Sequence, residues 1–226
     1  MQRVLIAEDD AILVKRLVRA LEKYSHRLVV LAAADGQEAM DILGAQPVAL
    51  LITDIQMPRV DGLQLLAHIN EHFPLLPCFV MTAYGSLDMQ ARMPKDLLRF
   101  YHKPFDPAEM AAEVVAVLDD PSFAEDRSGV SIYSFLQLIQ LEQVNCRLDV
   151  DAADGASGSL LFLNGRLWDA ECADGRCGDV AARELIRPRK ARYGIRFFPK
   201  DDGPCRVSLP LDTFVDRSLG RPGPDL

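Results

Sequence analysis

The sequence contains no apolar run approaching the ~18–20 residues that a membrane-spanning helix needs. Its N-terminus lacks a basic region followed by a hydrophobic stretch of signal-peptide type. A cytosolic protein without membrane association is therefore expected. Internal repeats and low-complexity tracts are also missing, Gly and Pro stand at 14 each in 226 residues, and 49% of the chain is hydrophobic. These features exclude a solenoid and a disordered polymer and leave a chain folded throughout. Cysteine is sparse and odd in number. Cys78, Cys146, Cys172, Cys177 and Cys205 lie mostly in apolar or strand-like runs, which suits reduced thiols rather than a disulfide scaffold. Cys172 and Cys177 have no histidine nearby to complete a metal site, because all four histidines precede residue 103. The length is generous for one domain and comfortable for two.

Basic residues are in the minority. Residues 1–120 hold 11 Lys+Arg against 17 Asp+Glu, and residues 121–226 hold 14 against 16. This balance argues against nonspecific nucleic-acid binding, which draws on a basic surface.

What is present in the first half is an alternation of two patterns. "RVLIA" (3–7) is a short apolar run, and "AILVKRLVRALEKY" (11–24) repeats apolar residues at helical spacing through Leu13, Val14, Leu17, Val18 and Leu21. "RLVVLAAA" (27–34) reads as a strand and "DGQEAMDILGA" (35–45) as a helix. "VALLITD" (48–54) is almost continuously apolar, as a strand covered on both faces is. A helix "GLQLLAHINEHF" (62–73) and a strand "PCFVMT" (77–82) follow. After a polar, Met-rich segment at 86–98 comes a fifth strand, "RFYHK" (99–103). The last helix opens on Asp106 as N-cap, Pro107 at the first position and Glu109 at the third, with Met110, Val114, Val117 and Leu118 as its buried stripe. Five strand–helix units predict an α/β fold: a doubly wound (βα)5 parallel sheet with helices on both faces.

"DDPSFAEDRSG" (119–129) breaks the alternation. Residues 121–129 are expected to link a first domain, 1–120, to a second, smaller α+β domain, 130–220, with 221–226 a frayed tail. The second domain reads as an amphipathic helix "SIYSFLQLIQLEQ" (131–143) and a strand "CRLDVDA" (146–152). It continues with a hairpin "GSLLFLNGRLWDAEC" (158–172), a short helix "GDVAARELI" (178–186) and a strand "ARYGIRFFP" (191–199). Asn164-Gly165 is the hairpin signal, since both residues tolerate the positive φ of a type I′ turn.

In a parallel α/β sheet, ligands sit beyond the carboxyl ends of the strands, at the switch in winding direction. Acids fall there twice. Glu8, Asp9 and Asp10 follow the first strand and Asp54 closes the third, and these strands are neighbours in the order 2-1-3-4-5. Two unit charges ~4 Å apart repel by ~4 kcal/mol at an effective dielectric near 20. A hard divalent cation removes that repulsion, and oxygen-only ligation suits Mg2+. Thr82 ends the fourth strand with a hydroxyl and Lys103 the fifth with an ammonium. A carboxylate flanked by metal, hydroxyl and ammonium is equipped to accept a phosphoryl group, with Asp54 as the nucleophile. The plainer alternatives are Asp54 as a turn cap and Glu8–Asp10 as solvated loop acids.

"VLIAEDD", "LLITDIQMPRVDG", "FVMTAYGS" and "FYHKPF", in this order and separation, resemble the receiver domain of bacterial two-component response regulators. The resemblance implies phosphorylation of Asp54 by a sensor histidine kinase or phosphotransfer protein. It makes Glu8 and Asp9 the metal-side acids, with Asp54 and the backbone carbonyl of Gln56 completing the Mg2+ ligands. Asp10 is the alternative member of the pair, but the family's pair directly follows the strand. Thr82 becomes the switch hydroxyl, Lys103 the phosphate-pairing lysine, and Phe100 either a rotating switch aromatic or plain core. A cis Lys103–Pro104 bond and room for a homodimer through the receiver are further implications. His102 is expected to face a helix rather than act chemically. The sequence departs from the family where "LDMQARMPKDLLRF" lacks the usual Gly-Ala turn and Pro94 interrupts the helical pattern.

Residues 128–218 resemble the PATAN-type domain that follows receivers in some bacterial regulators. The resemblance implies an interaction module, and an output protein that the sequence does not identify. The chain is then a phosphoacceptor that only assists its own phosphoryl transfer and hydrolysis, not an enzyme. The rival output is DNA binding through "RELIRPRKARYG" (183–194), where Arg183, Arg187, Arg189, Lys190 and Arg192 could meet phosphates. Pro188 in its middle and the missing helix-turn-helix pair speak against that. An enzymatic output of cyclic-dinucleotide type lacks its Gly-Gly-Asp-Glu-Phe signature.

Overall fold

The computed structural model describes residues 1–84, 98–120, 130–187, 190–198 and 205–218. The chain divides into two compact units, Met1–Gly129 and Val130–Leu226.

The first unit is built on five parallel strands: β1 (Gln2–Ala7), β2 (Leu28–Ala33), β3 (Leu50–Asp54), β4 (Cys78–Thr82) and β5 (Leu98–His102). They are ordered β2-β1-β3-β4-β5. Every residue of β3 and of β4 is buried, as the unbroken apolar runs require of central strands covered on both sides. Among the described residues its α-helices are α1 (Ala11–Leu21), α2 (Gly36–Ala45), α3 (Gly62–His72) and α4 (Pro107–Asp119). Successive strand residues point to opposite faces. Val4, Ile6, Leu50, Ile52, Phe79 and Met81 thus share one core with Leu17 and Leu21 of α1 and Met110, Ala111, Val114 and Val117 of α4. Leu118, read as part of the α4 stripe, is only half-buried.

Among the described residues of the first unit, each α-helix start has a carboxylate cap. Asp10, Asp35, Asp61 and Asp106 accept backbone N–H bonds from the first turns of α1, α2, α3 and α4, and Asp61 with Gln64 forms a capping box. The last three residues of the first expected helix, Glu22–Tyr24, tighten into a 3-10 turn. The segment around Pro94 lies outside the described residues, as do the 121–129 linker and the 221–226 tail.

The second unit carries an antiparallel sheet, β8-β7-β6-β9, from β6 (Cys146–Ala152), β7 (Ser157–Leu163), β8 (Arg166–Cys172) and β9 (Ala191–Phe197). With it go helices α5 (Ile132–Leu141), α6 (Gly178–Leu185) and α7 (Leu211–Ser218). In β6 alternate residues Cys146, Leu148, Val150 and Ala152 are buried, the period-2 signature of a sheet with one covered face. Phe135 of α5 packs on Tyr193 of β9 with ring centroids 4.9 Å apart. Asn164 (φ 48°) and Gly165 (φ 72°) form the β7–β8 turn, as the Asn-Gly pair indicated. The sequence pattern predicts no element at 211–218, where α7 buries Leu211, Phe214 and Val215 at helical spacing over only two turns.

Candidate functional site

Three carboxylates meet at the carboxyl edge of the first sheet. Parallel pairing of β1 with β3 sets Ala7 beside Thr53, so the acids just past β1 arrive next to the end of β3. Oxygens of Glu8, Asp9 and Asp54 all lie within 4.8 Å of one another. Glu8 and Asp54 are buried and Asp9 is exposed.

Lys103 enters from the end of β5, where its N–H donates to the Thr82 carbonyl at 2.8 Å and ties the ends of β4 and β5 together. Its Nζ stands 2.8 Å from Glu8 Oε2 and 2.9 Å from Asp54 Oδ1. Burial opposes the lysine's charge, but the two carboxylates outweigh it and hold the ammonium above its ordinary range. The acids are not fully compensated. Burial pushes the Asp54 carboxyl up, with Lys103 pulling the other way and Asp9 adding repulsion. Glu8 is raised for the same first reason, and Asp54 adds to it. The pocket is short of positive charge.

The donor set fits a hard divalent cation: oxygen donors alone, two of them buried, with one open to water on the exposed side. Gln56 lies exposed two residues beyond Asp54, on the loop leaving β3. Asp10 is occupied otherwise. It caps α1 through its Oδ1, 2.7 Å from the Ile12 N–H, so the acids beside Asp54 are Glu8 and Asp9. The Asp10 N–H in turn donates to Glu8 Oε1 at 3.1 Å and helps to hold that carboxylate.

Thr82 is buried at the end of β4. Its hydroxyl accepts from the Tyr84 N–H at 3.0 Å and lies 3.1 Å from the Tyr84 carbonyl, to which it donates. Phe100 is buried in β5 beside Val80. His102, the last residue of β5, is exposed. The Lys103–Pro104 bond is cis.

Sequence reasoning missed a second ion pair at the same edge. Asp35 caps α2 through the Glu38 N–H at 3.0 Å, and its other oxygen lies 2.5 Å from Arg59 Nε in the β3–α3 loop. Asp35 is buried and held below the usual carboxylate range, by the Glu38 N–H first and, against its burial, by Arg59. The one signal in the sequence is that the "DG" pair at 35–36 opens a helix as the one at 61–62 does.

The family model for the response regulator receiver domain matches residues 4–115. The response regulator receiver protein CpdR of Brucella abortus is 33% identical over 120 residues, which is 52% of this chain and 98% of CpdR. The transcriptional regulatory protein GlrR of Escherichia coli is 31% identical over 163 residues, 69% of this chain and 36% of GlrR, so the chain spans about a third of that relative's length. The solved receiver domain of the Francisella response regulator 1452 superposes with a TM-score of 0.47 at 23% identity, covering 52% of this chain and 97% of that one. The chain belongs to the response regulator receiver family.

Proposed function

We propose that the first unit is a phosphorylation-controlled switch in which Asp54 accepts a phosphoryl group from a histidine kinase or phosphotransfer protein. The observation that carries this reading is Lys103 Nζ between Glu8 and Asp54, with Asp9 close by. An Asp54 oxygen attacks phosphorus as the donor's N–P or O–P bond breaks, forming an acyl phosphate. Asp54 must be ionised to attack, and the adjacent ammonium favours that form. Glu8, Asp9, Asp54 and the Gln56 backbone carbonyl would hold Mg2+. When bound, Mg2+ neutralises phosphoryl oxygens. The phosphorylated carboxylate carries about −1.5 to −2 charge, which draws the Thr82 hydroxyl and Lys103 inward. For Thr82 the move exchanges its contacts with Tyr84 for a phosphoryl oxygen. Phe100, on β5 beside β4, is placed to repack with it.

In this reading the second unit is a PATAN-type interaction module that meets an output protein, and the chain has no catalytic turnover beyond its own phosphoryl transfer and hydrolysis. The basic stripe read as a DNA contact is partly neutralised: Arg192 pairs with Asp151 at 2.6 Å, and Arg187 lies 3.8 Å from Glu184. Paired arginines release fewer counterions to a phosphate backbone, which favours a protein target. Arg189 and Pro188 lie outside the described residues. DNA binding is the second reading, because GlrR is a transcriptional regulatory protein.

The test is labelling with a small acyl-phosphate donor in Mg2+. The wild type should gain one acid-stable, alkali-labile adduct and Asp54→Asn none. Equal labelling of Asp54→Asn would remove the assignment. A gel shift with genomic fragments at physiological salt separates the outputs, since tight, sequence-selective binding would favour the transcription regulator.

A further inference from the structure

The loop between β3 and α3 begins one residue after Asp54 and carries Gln56, whose carbonyl is the one proposed metal ligand that no rotamer can aim. A backbone carbonyl points where the chain points. Contacts with the start of α2 hold this loop, beside the Gly62 N–H bond to the Ile55 carbonyl at 2.8 Å that closes it. The Arg59 guanidinium grips the buried Asp35 carboxylate through two nitrogens, Nε at 2.5 Å and a terminal nitrogen. The Gly36 N–H donates to the Val60 carbonyl at 2.9 Å. A side chain at residue 36 would put Cβ 2.6 Å from that same carbonyl oxygen, so only glycine lets the loop approach so closely.

The backbone of Arg59 is unusual. Its φ is +63°, the left-handed region that arginine seldom adopts. The side chain is 64% exposed while Asp35 is 3% exposed, so the pair is anchored from the buried carboxylate outward. A left-handed arginine persists only where its surroundings hold it, and here the holding group is Asp35. Asp35 is itself fixed by the Glu38 N–H at the α2 N-cap.

We propose that Asp35 and Arg59 are positioning residues for the phosphorylation site: their ion pair fixes the β3–α3 loop and thereby sets how tightly the acidic pocket holds Mg2+. This rests on the reading of Glu8, Asp9, Asp54 and Gln56 as the metal ligands. The pair touches neither metal nor phosphoryl group. Its effect is on metal affinity and not on the chemistry of a filled pocket.

The experiment measures the initial labelling rate of the full chain with acetyl phosphate across a Mg2+ titration, giving a half-saturating concentration and a plateau. Arg59→Gly separates the two features, since glycine accepts the positive φ but cannot make the ion pair. It should raise half-saturating Mg2+ about fivefold to tenfold and leave the plateau within twofold. Arg59→Lys restores the charge without the two-pronged grip and should recover part of the shift. Asp35→Asn should match Arg59→Gly, and the double variant should be no worse than either single one, because the pair acts as a unit.

A purely structural role would lower the melting temperature without moving the Mg2+ midpoint. If Arg59→Gly keeps that midpoint within twofold of wild type, the proposal is overturned, whatever its stability. Exposed Arg59 carries this outcome even if Asp35→Asn fails to fold. Absence of labelling in the wild type would sink the phosphoacceptor reading and this proposal together. Normal wild-type labelling with an unmoved variant midpoint would sink this proposal alone.

Discussion

The Lys103 ammonium lies 2.9 Å from an Asp54 carboxylate oxygen, and the same nitrogen reaches Glu8 at 2.8 Å. One cation thus serves two buried anions, with Asp9 near both. Truncating it leaves the acids facing each other. Lys103→Ala should cost about 1–3 kcal/mol of stability in chelator, the range for stripping a buried polar group of its partner. Millimolar Mg2+ should narrow the gap to wild type, because a dication in the pocket replaces the lost charge. Urea denaturation with EDTA and with Mg2+ measures this, and an unchanged gap in both buffers would count against a metal-binding pocket.

Asp54 and Glu8 are both pushed up by burial from ordinary values of 3.8 and 4.5, and the sign of the consequence follows. The folded state binds these protons more tightly than the unfolded chain, so ionisation opposes folding. The penalty is absent below the ordinary carboxylate range, grows as pH rises through the raised values, and is complete above them. A neutral isostere removes it while Lys103 keeps Glu8. Asp54→Asn should therefore be more stable than wild type at pH 7 by about 1 kcal/mol, a usual gain when a functional site's strain is relieved. The gain should fade as the pH approaches 4. Thermal melts of both proteins from pH 4 to 8 check the trend, and a variant less stable than wild type at pH 7 would contradict it.

Gly62 marks where α3 starts against the end of β3. A Cβ there would stand 2.1 Å from the Asp54 carbonyl oxygen and 2.8 Å from the Ile55 Cα, and neither backbone atom can swing aside. Gly62→Ala should cost about 2–3 kcal/mol, as overpacking of a tight core does. It should also slow Asp54 labelling, since the group displaced is the backbone of Asp54 itself. Normal labelling in a destabilised Gly62→Ala protein would show that the strand end moves independently of the helix.

The first sheet was legible because parallel strands buried on both faces are nearly continuous apolar runs, and the residues that end them stand out: Asp54, Thr82 and Lys103. Assigning duties among Glu8, Asp9 and Asp10 was harder. Three consecutive acids look alike in sequence, and only the path of the chain turns Asp10 into a cap while its neighbours face Asp54. Arg59 was invisible as a partner of Asp35 because the pair depends on a left-handed arginine 24 residues away, which no periodicity announces. The α7 helix escaped for lack of length: eight residues give two turns, too few for an apolar stripe to establish its period.

In the second unit the Asn164-Gly165 turn offers a test that leaves the Asp54 pocket alone. Both residues have positive φ, and Gly165 also lies against α5, where a Cβ would meet the Gln140 carbonyl oxygen at 2.8 Å. The two demands differ in kind. Asn164 is exposed and is asked only for a left-handed backbone, so Asn164→Ala should cost about 1 kcal/mol. Gly165→Ala meets the backbone demand and the steric one together and should cost about 2 kcal/mol or more. Both variants should label at Asp54 within twofold of wild type, since the turn belongs to the other unit. Differential scanning calorimetry alongside acyl-phosphate labelling reads both quantities in one preparation. If Gly165→Ala costs no more than Asn164→Ala, the close packing of the hairpin turn on α5 is wrong, and the turn's glycine is explained by backbone conformation alone.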